Sequence, residues 1–214
     1  MAYVCLADRQ DITRAGLMYL CGTIEDVVTK YVDDKTELLL QLKDHPNAIV
    51  ILDYTLFDIN DADELFILCQ RFPEVRWVLF SEDLSADFVR QVIATSPCIS
   101  VILKESALNE IKEAVLYAQK GQRYICQRMM EILLTPQTVK REEDGKLTKT
   151  EVEVLKDIAL GMTTKEIAEK RCSSFHTVNT HRKNIFRKLG VNNVHEATRY
   201  ALRAGLVDSA EYYI

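Results

Sequence analysis

Five short apolar runs, YVCLA (3–7), VVTKYV (27–32), AIVIL (48–52), RWVLF (76–80) and SVIL (100–103), recur along the first half of the chain. Each leads into an amphipathic segment: one carrying Ile12, Leu17 and Leu20, then TELLLQLKDH, DADELFILCQRF, SADFVRQVIA and SALNEIKEAVLYAQKG. A strand followed by a helix every ~25 residues implies a parallel sheet, because each crossover can carry a helix. Such crossovers are nearly always right-handed, which leaves few topologies. The strands are apolar throughout rather than alternating, as strands covered on both faces are. Residues 1–121 are therefore expected to form an α/β domain, a doubly wound, five-stranded parallel sheet.

The pattern then changes. RMMEILL (128–134) reads as one further helix, and PQTVKREEDGK (136–146) is polar, with a Pro, a Gly and no apolar periodicity. Residues 122–146 are expected to be a linker with a short helix. From residue 147 to 214 the periodicity is helical only. Thr148 with Glu151 and Thr163 with Glu166 form capping boxes; Val152, Leu155, Ile158 and Ala159 mark the first apolar stripe. Ser174 and Asn193 stand where they can cap two more helices, the last with Ala197, Tyr200 and Ala201 as its stripe. Four helices, the second and third joined by a tight turn, predict helix-turn-helix geometry.

Charge separates the two halves. Residues 1–134 hold 13 Lys and Arg against 21 Asp and Glu, whereas residues 164–203 hold 9 against 3. The basic excess centres on TVNTHRKNIFRKLG (177–190), where Val178, Ile185, Phe186 and Leu189 share one helix side. Asn179, Thr180 and Lys183 share another, and Arg182, Arg187 and Lys188 add charge. A helix of this kind suits a DNA major groove, where Asn and Thr meet base edges and Lys meets a base or phosphate. The six cysteines include no C-x-x-C and sit mostly among apolar neighbours, which predicts buried thiols rather than disulfides or zinc ligands. The four histidines have no metal-ligand spacing. No apolar run reaches the roughly 18 residues of a membrane span, and the first residues lack a signal-peptide pattern. A cytoplasmic protein with no membrane association is expected.

The stretch from Leu147 to Leu206 resembles a LuxR-type DNA-binding domain. The likeness rests on Leu147-Thr148, Glu151, Val154-Leu155, Gly161, Lys165-Glu166-Ile167-Ala168, Thr177-Val178, His181 and Leu189-Gly190-Val191. The resemblance implies an all-α, four-helix fold in which Asn179, Thr180 and Lys183 face the groove and Lys165, Thr177 and Arg187 contact the backbone. Many members carry Lys where Asn179 stands, so the preferred site is expected to differ. His181 is expected to support the helix, and the last helix (194–204) resembles the one through which such domains pair on DNA.

In the first half, polar residues fall at matching strand ends: Asp8, Asp53, Ser81 and Lys104. The carboxyl ends of parallel strands converge on one cleft, where these groups suit a phosphoryl group on Asp53. The half resembles a flavodoxin-like receiver domain, and the whole chain resembles the NarL/FixJ class of response regulators. The resemblance implies Asp53 as phosphorylation site, Ser81 and Lys104 as switch residues, and Asp8, Asp53 and the Thr55 carbonyl as metal ligands. Three departures stand out. Receivers carry two adjacent acids after the first strand, and here the second is Arg9. Val101 replaces the aromatic residue three positions before the lysine, and YTLFDIN after Asp53 lacks the usual Met-Pro and Gly. A guanidinium near a dication is repulsive, so Mg²⁺ is expected to bind weakly or not at all. Arg9 either pairs with Asp8 or Asp53 or points to solvent.

These readings predict a transcriptional response regulator that binds double-stranded DNA as a homodimer, answers to a sensor histidine kinase, and lets its receiver control dimerisation or DNA access. An atypical regulator independent of phosphorylation is the alternative. No catalytic residues and no enzymatic activity on external substrates are expected: an aspartyl-nucleophile phosphohydrolase needs an acid two residues after the nucleophile, and Thr55 stands there.

Overall fold

The computed structural model describes residues 1–59, 61–82, 84–134 and 146–207. The chain divides into two compact units, Met1–Pro136 and Gln137–Ile214. Of the expected polar stretch at 136–146, residues 136–145 lie outside the described residues.

The first unit runs β1 (Ala2–Ala7), α1 (Asp11–Gly22), β2 (Val27–Tyr31), α2 (Lys35–Asp44), β3 (Ile49–Leu52), α3 (Ala62–Arg71), β4 (Arg76–Ser81), α4 (Ala86–Thr95), β5 (Ile99–Leu103), α5 (Leu108–Gln119) and α6 (Gln127–Leu134). All strand pairings are parallel, in the order β2-β1-β3-β4-β5. The order reverses between β1 and β3. With right-handed crossovers this puts α1 and α5 on one face and α2, α3 and α4 on the other. The carboxyl ends of β1 and β3 thus open on a switch point, where Asp8 and Asp53 follow their strands. β3 and β5 are buried along their whole length, and Trp77 and Tyr54 are the largest fully buried side chains.

Three expectations need correction here. β2 is only partly buried, because it is an edge strand rather than one covered on both sides. Ile12 belongs to no core; it is 84% exposed, while Leu17, Leu20 and Cys21 carry the buried face of α1. Residues 122–134 are part of the first unit instead of a linker. Tyr124 and Cys126 exchange backbone hydrogen bonds with Val101 (2.9 Å each), so the segment lies along the outer edge of β5, and Cys126 and Met129 are fully buried. Apolar burial drives this docking, and the segment satisfies strand groups that would otherwise face water.

The second unit holds α7 (Lys149–Ala159), α8 (Thr164–Lys170), α9 (Phe175–Leu189) and α10 (Val194–Arg203). Both predicted capping boxes form, and Ser174 and Asn193 cap α9 and α10 by accepting from the Thr177 and Glu196 amides. Gly190 ends α9 at φ 66°, a left-handed conformation that glycine adopts without Cβ strain. The core gathers Val154, Leu155, Ile158, Ile167, Val178, Ile185, Ala197 and Ala201. Val152 is only half-buried, since Val154 takes the inward position, and Tyr200 is exposed because the close α7–α10 packing uses Ala197 and Ala201. Cys172 is exposed, against the expectation for the cysteines as a group; the other five are buried and free.

Candidate functional sites

At the carboxyl end of the sheet, Asp8, Asp53, Ser81 and Lys104 come together as the strand ends predict. Asp8, Asp53 and Ser81 are buried. The Lys104 ammonium lies 2.7 Å from Asp8 Oδ2 and 2.8 Å from Asp53 Oδ2, and donates to Gln10 Oε1 at 3.0 Å. The other carboxylate oxygens are also engaged. Asp8 Oδ1 accepts from the Gln10 amide (2.7 Å) and Asp53 Oδ1 from the Thr55 amide (3.0 Å). Ser81 Oγ accepts from the Tyr54 amide at 3.1 Å, and the Lys104 amide donates to the Ser81 carbonyl, so Ser81 links the ends of β3, β4 and β5.

The electrostatics follow from burial. Desolvation pushes the Asp53 carboxyl up; Lys104 opposes the shift and Asp8 adds to it, leaving it at about 6. Burial alone would lower the Lys104 ammonium, yet Asp53 and Asp8 hold it above its usual value. Val101 is fully buried within β5, and it offers no ring to swing in response to the hydroxyl.

Mg²⁺ takes a near-octahedral shell of oxygens at about 2.0–2.1 Å, usually from one or two carboxylates and water. The residues present do not fit it as a resident ion. The two oxygens that would face it hold an ammonium between them, and the place of a third acid belongs to Arg9. That side chain is exposed and makes no ion pair among the described residues, so of the two alternatives for Arg9 the solvent-facing one is observed. Thr55, the third predicted ligand, supplies its amide to Asp53, while its Oγ1 is buried without a partner. Gln10 was not foreseen. Its signal, a polar residue two after a strand-end Asp, is too common to single it out.

The basic face of the second unit is smaller than its charge count. Of the four cations on α9, Arg182 is buried with its guanidinium 5.7 Å from the Phe186 ring centroid. Lys188 is largely buried and pairs with Glu151 at 2.8 Å. Lys183 and Arg187 are exposed, as are Lys165 on α8 and Thr177 and Thr180 on α9; Asn179 is half-buried. Thr180 Oγ1 donates to the His176 carbonyl at 3.0 Å, which leaves its lone pairs and methyl to meet a partner. His181 is half-buried. Two buried acids of α7 hold this arrangement: Glu151 accepts from Lys188 of α9, and Asp157 accepts from Lys170 (2.7 Å) and Arg171 (2.5 Å) at the end of α8.

Residues 145–201 match the family described as bacterial regulatory proteins, luxR family. Over nearly its whole length the chain is similar to the fimbriae Z protein of Salmonella typhimurium, 29% identical over 205 residues, covering 94% of this chain and 96% of that protein. It is also similar to the transcriptional regulatory protein LiaR of Bacillus subtilis, 28% identical over 213 residues and covering 97% and 100%. Among solved structures, one of two RcsB dimers bound to two parallel DNAs matches with a TM-score of 0.54 and 25% identity, covering 97% of this chain and 99% of that one.

Proposed function

We propose that the chain is a response regulator of the NarL/FixJ class that regulates transcription by binding duplex DNA through α9, under control of its first unit. One observation carries the reading: Thr177, Thr180, Lys183 and Arg187 are exposed along α9, with Lys165 on α8, after Arg182 and Lys188 are set aside for the core. In this reading Asn179, Thr180 and Lys183 meet base edges, and Lys165, Thr177 and Arg187 meet phosphates. The amides at the start of α9, of which that of Thr177 is taken by Ser174, favour a nearby phosphate. The solved relative bound to DNA as dimers supports a homodimer on DNA; in this reading the dimer meets two half-sites and α10 is the pairing helix. Among the described residues no helix is long and apolar enough to cross a membrane.

In the first unit Asp53 is the residue to carry a phosphoryl group, with Ser81 and Lys104 placed to respond. A second reading is favoured by Arg9 and by the ammonium between Asp8 and Asp53: Mg²⁺ is held weakly or not at all, and the regulator works independently of phosphate from a sensor histidine kinase. Recovery of bound DNA across the genome from wild type and Asp53→Asn tests both. Specific sites shared by the two proteins favour the second reading, and sites lost in the variant favour the first. Binding to no sequence above background by either protein overturns the proposal as a whole.

A further inference from the structure

After α5 the chain does not leave the first unit at once. It turns at Gly121, where φ is a left-handed 70°, and runs back along the outer edge of β5. The fastening has three parts. At the edge, the Val101 amide donates to the Tyr124 carbonyl and the Cys126 amide to the Val101 carbonyl, each at 2.9 Å, and the Tyr124 amide donates to Ser100 Oγ at 3.0 Å. In the interior, Cys126 and Met129 are fully buried, and Ile132 and Leu133 pack on the same core. At the helices, Glu110 of α5 accepts from the Gln127 amide at 2.8 Å and Arg90 of α4 donates to the Leu133 carbonyl at 3.4 Å, so both ends of α6 are held. β5 is bonded on its other side as well. Leu79 of β4 stands opposite Val101, and Ser81 stands opposite Leu103. The next residue is Lys104, whose amide donates to the Ser81 carbonyl at 3.0 Å.

We propose that residues 122–134 are a strap whose seating on β5 is set by the Asp8–Asp53–Lys104 cluster. The route is short. Val101 stands three positions before Lys104, and β5 ends between them. The Lys104 ammonium is fixed by Asp8 and Asp53, so the same two carboxylates fix the end of β5. Taking the ammonium from between them leaves two buried carboxylates without their cation, and the chain around Lys104 has to rearrange. An N–H···O bond keeps its strength only over roughly 2.7–3.2 Å, so a shift of β5 strains the bonds on both its edges. The inner edge is backed by β4, β3, β1 and β2, whereas the outer edge is backed by the strap alone, and the strap is the neighbour that yields. The device has two positions. Seated, the strap is as described; lifted, the outer groups of Val101 pass to water, and Cys126 and Met129 leave the core. Coupling between sites needs such an element with two discrete arrangements. Val101 carries the change through its backbone and needs no side-chain movement. The device lies within the first unit and works whether or not α9 meets DNA.

The test uses the full chain with Cys172→Ser, which removes the exposed thiol. Cys126 reports on the strap, because a fully buried thiol is reached only when the strap lifts. Cys5, fully buried in β1, reports on opening of the whole unit. Lys104→Met keeps the apolar stem and removes the ammonium. Both proteins are exposed to iodoacetamide for increasing times, and the labelled peptides are measured by mass spectrometry. The expected result is that Cys126 reacts at least ~10-fold faster in Lys104→Met while the Cys5 rate is unchanged, as for a local opening. Equal Cys126 rates in the two proteins overturn the inference, and so does a rise shared equally by Cys5. Should Lys104→Met fail to fold, Met129→Ala decides by reciprocity, since it weakens the strap from the other end. Amide exchange followed by NMR should then rise at Lys104 relative to the amides of β1, and an unchanged ratio overturns the inference.

Discussion

Glu151 and Lys188 stand 37 positions apart and meet at 2.8 Å, joining the first turn of α7 to the last turn of α9. Glu151 also closes the capping box with Thr148. One buried carboxylate therefore starts one helix and anchors the end of another, and it takes a cation out of the exposed set.

Glu151→Ala removes both roles and should destabilise the second unit by about 2–4 kcal/mol, a lost cap plus an orphaned, largely buried ammonium. Glu151→Gln keeps a side chain able to close the box and should cost less. Amide hydrogen exchange of α7 and α9 in the full chain reads the difference, and equal protection in wild type and Glu151→Ala would contradict it.

Stability of the second unit should fall in acid. Burial opposes the charge on Asp157, but Lys170 and Arg171 hold its carboxyl below the usual 3.8. Glu151 is likewise held below 4.5, against its burial, by Lys188 and the Thr148 amide. A depressed carboxylate binds fewer protons in the folded state, so its contribution is full above the unfolded value and is lost as pH drops through the folded one. Asp157→Asn should lower the melting temperature at pH 7, and its deficit against wild type should shrink as the pH is taken from 5 towards 2. A deficit that is constant with pH would show that the charge is not what stabilises the unit.

Charge on α9 should divide into two kinds. Arg187→Ala should weaken binding to specific and random duplexes alike and reduce the salt slope by about 1, whereas Lys183→Ala should weaken binding to specific DNA more than to random DNA. Lys188→Met should leave that slope unchanged, because its ammonium belongs to Glu151. Fluorescence anisotropy across a salt series separates the two classes.

Asn179→Ala should lower discrimination between bases at one position by about 1–3 kcal/mol while leaving affinity for random DNA nearly intact. Selection of bound sequences from a randomised duplex pool makes the comparison, and an unchanged preferred sequence would remove Asn179 from the reading set.

Arg9→Asp replaces a cation with a carboxylate beside Asp8 and Asp53 and should strengthen Mg²⁺ binding by tenfold or more, taking about 1.4 kcal/mol per decade. Isothermal titration calorimetry of the two proteins gives the ratio. Equal affinities would mean that Lys104, rather than Arg9, governs the pocket.

Much of this was legible in the residues because the signals are local. Thr148 with Glu151 and Thr163 with Glu166 read as capping boxes from spacing alone, and Asp8, Asp53, Ser81 and Lys104 were expected at one end of the sheet because parallel strands share a direction. What stayed hidden depends on contacts between elements. Ile12 fits the helical period yet faces water, since period alone does not say where a neighbouring element stops. Lys188 reads as part of the basic charge of its helix until Glu151 arrives from another helix. Residues 122–134 look like connection because edge pairing leaves no periodic mark.

The backbone of residues 124–126 laid along β5 has a consequence for self-association. An open strand invites another chain to add to it, and proteins that leave such a margin bare tend to aggregate. Here one margin is covered by the protein's own chain. Templated growth is thereby confined to β2, a short strand whose exposed residue is the charged Lys30, where a stray strand gains little by docking.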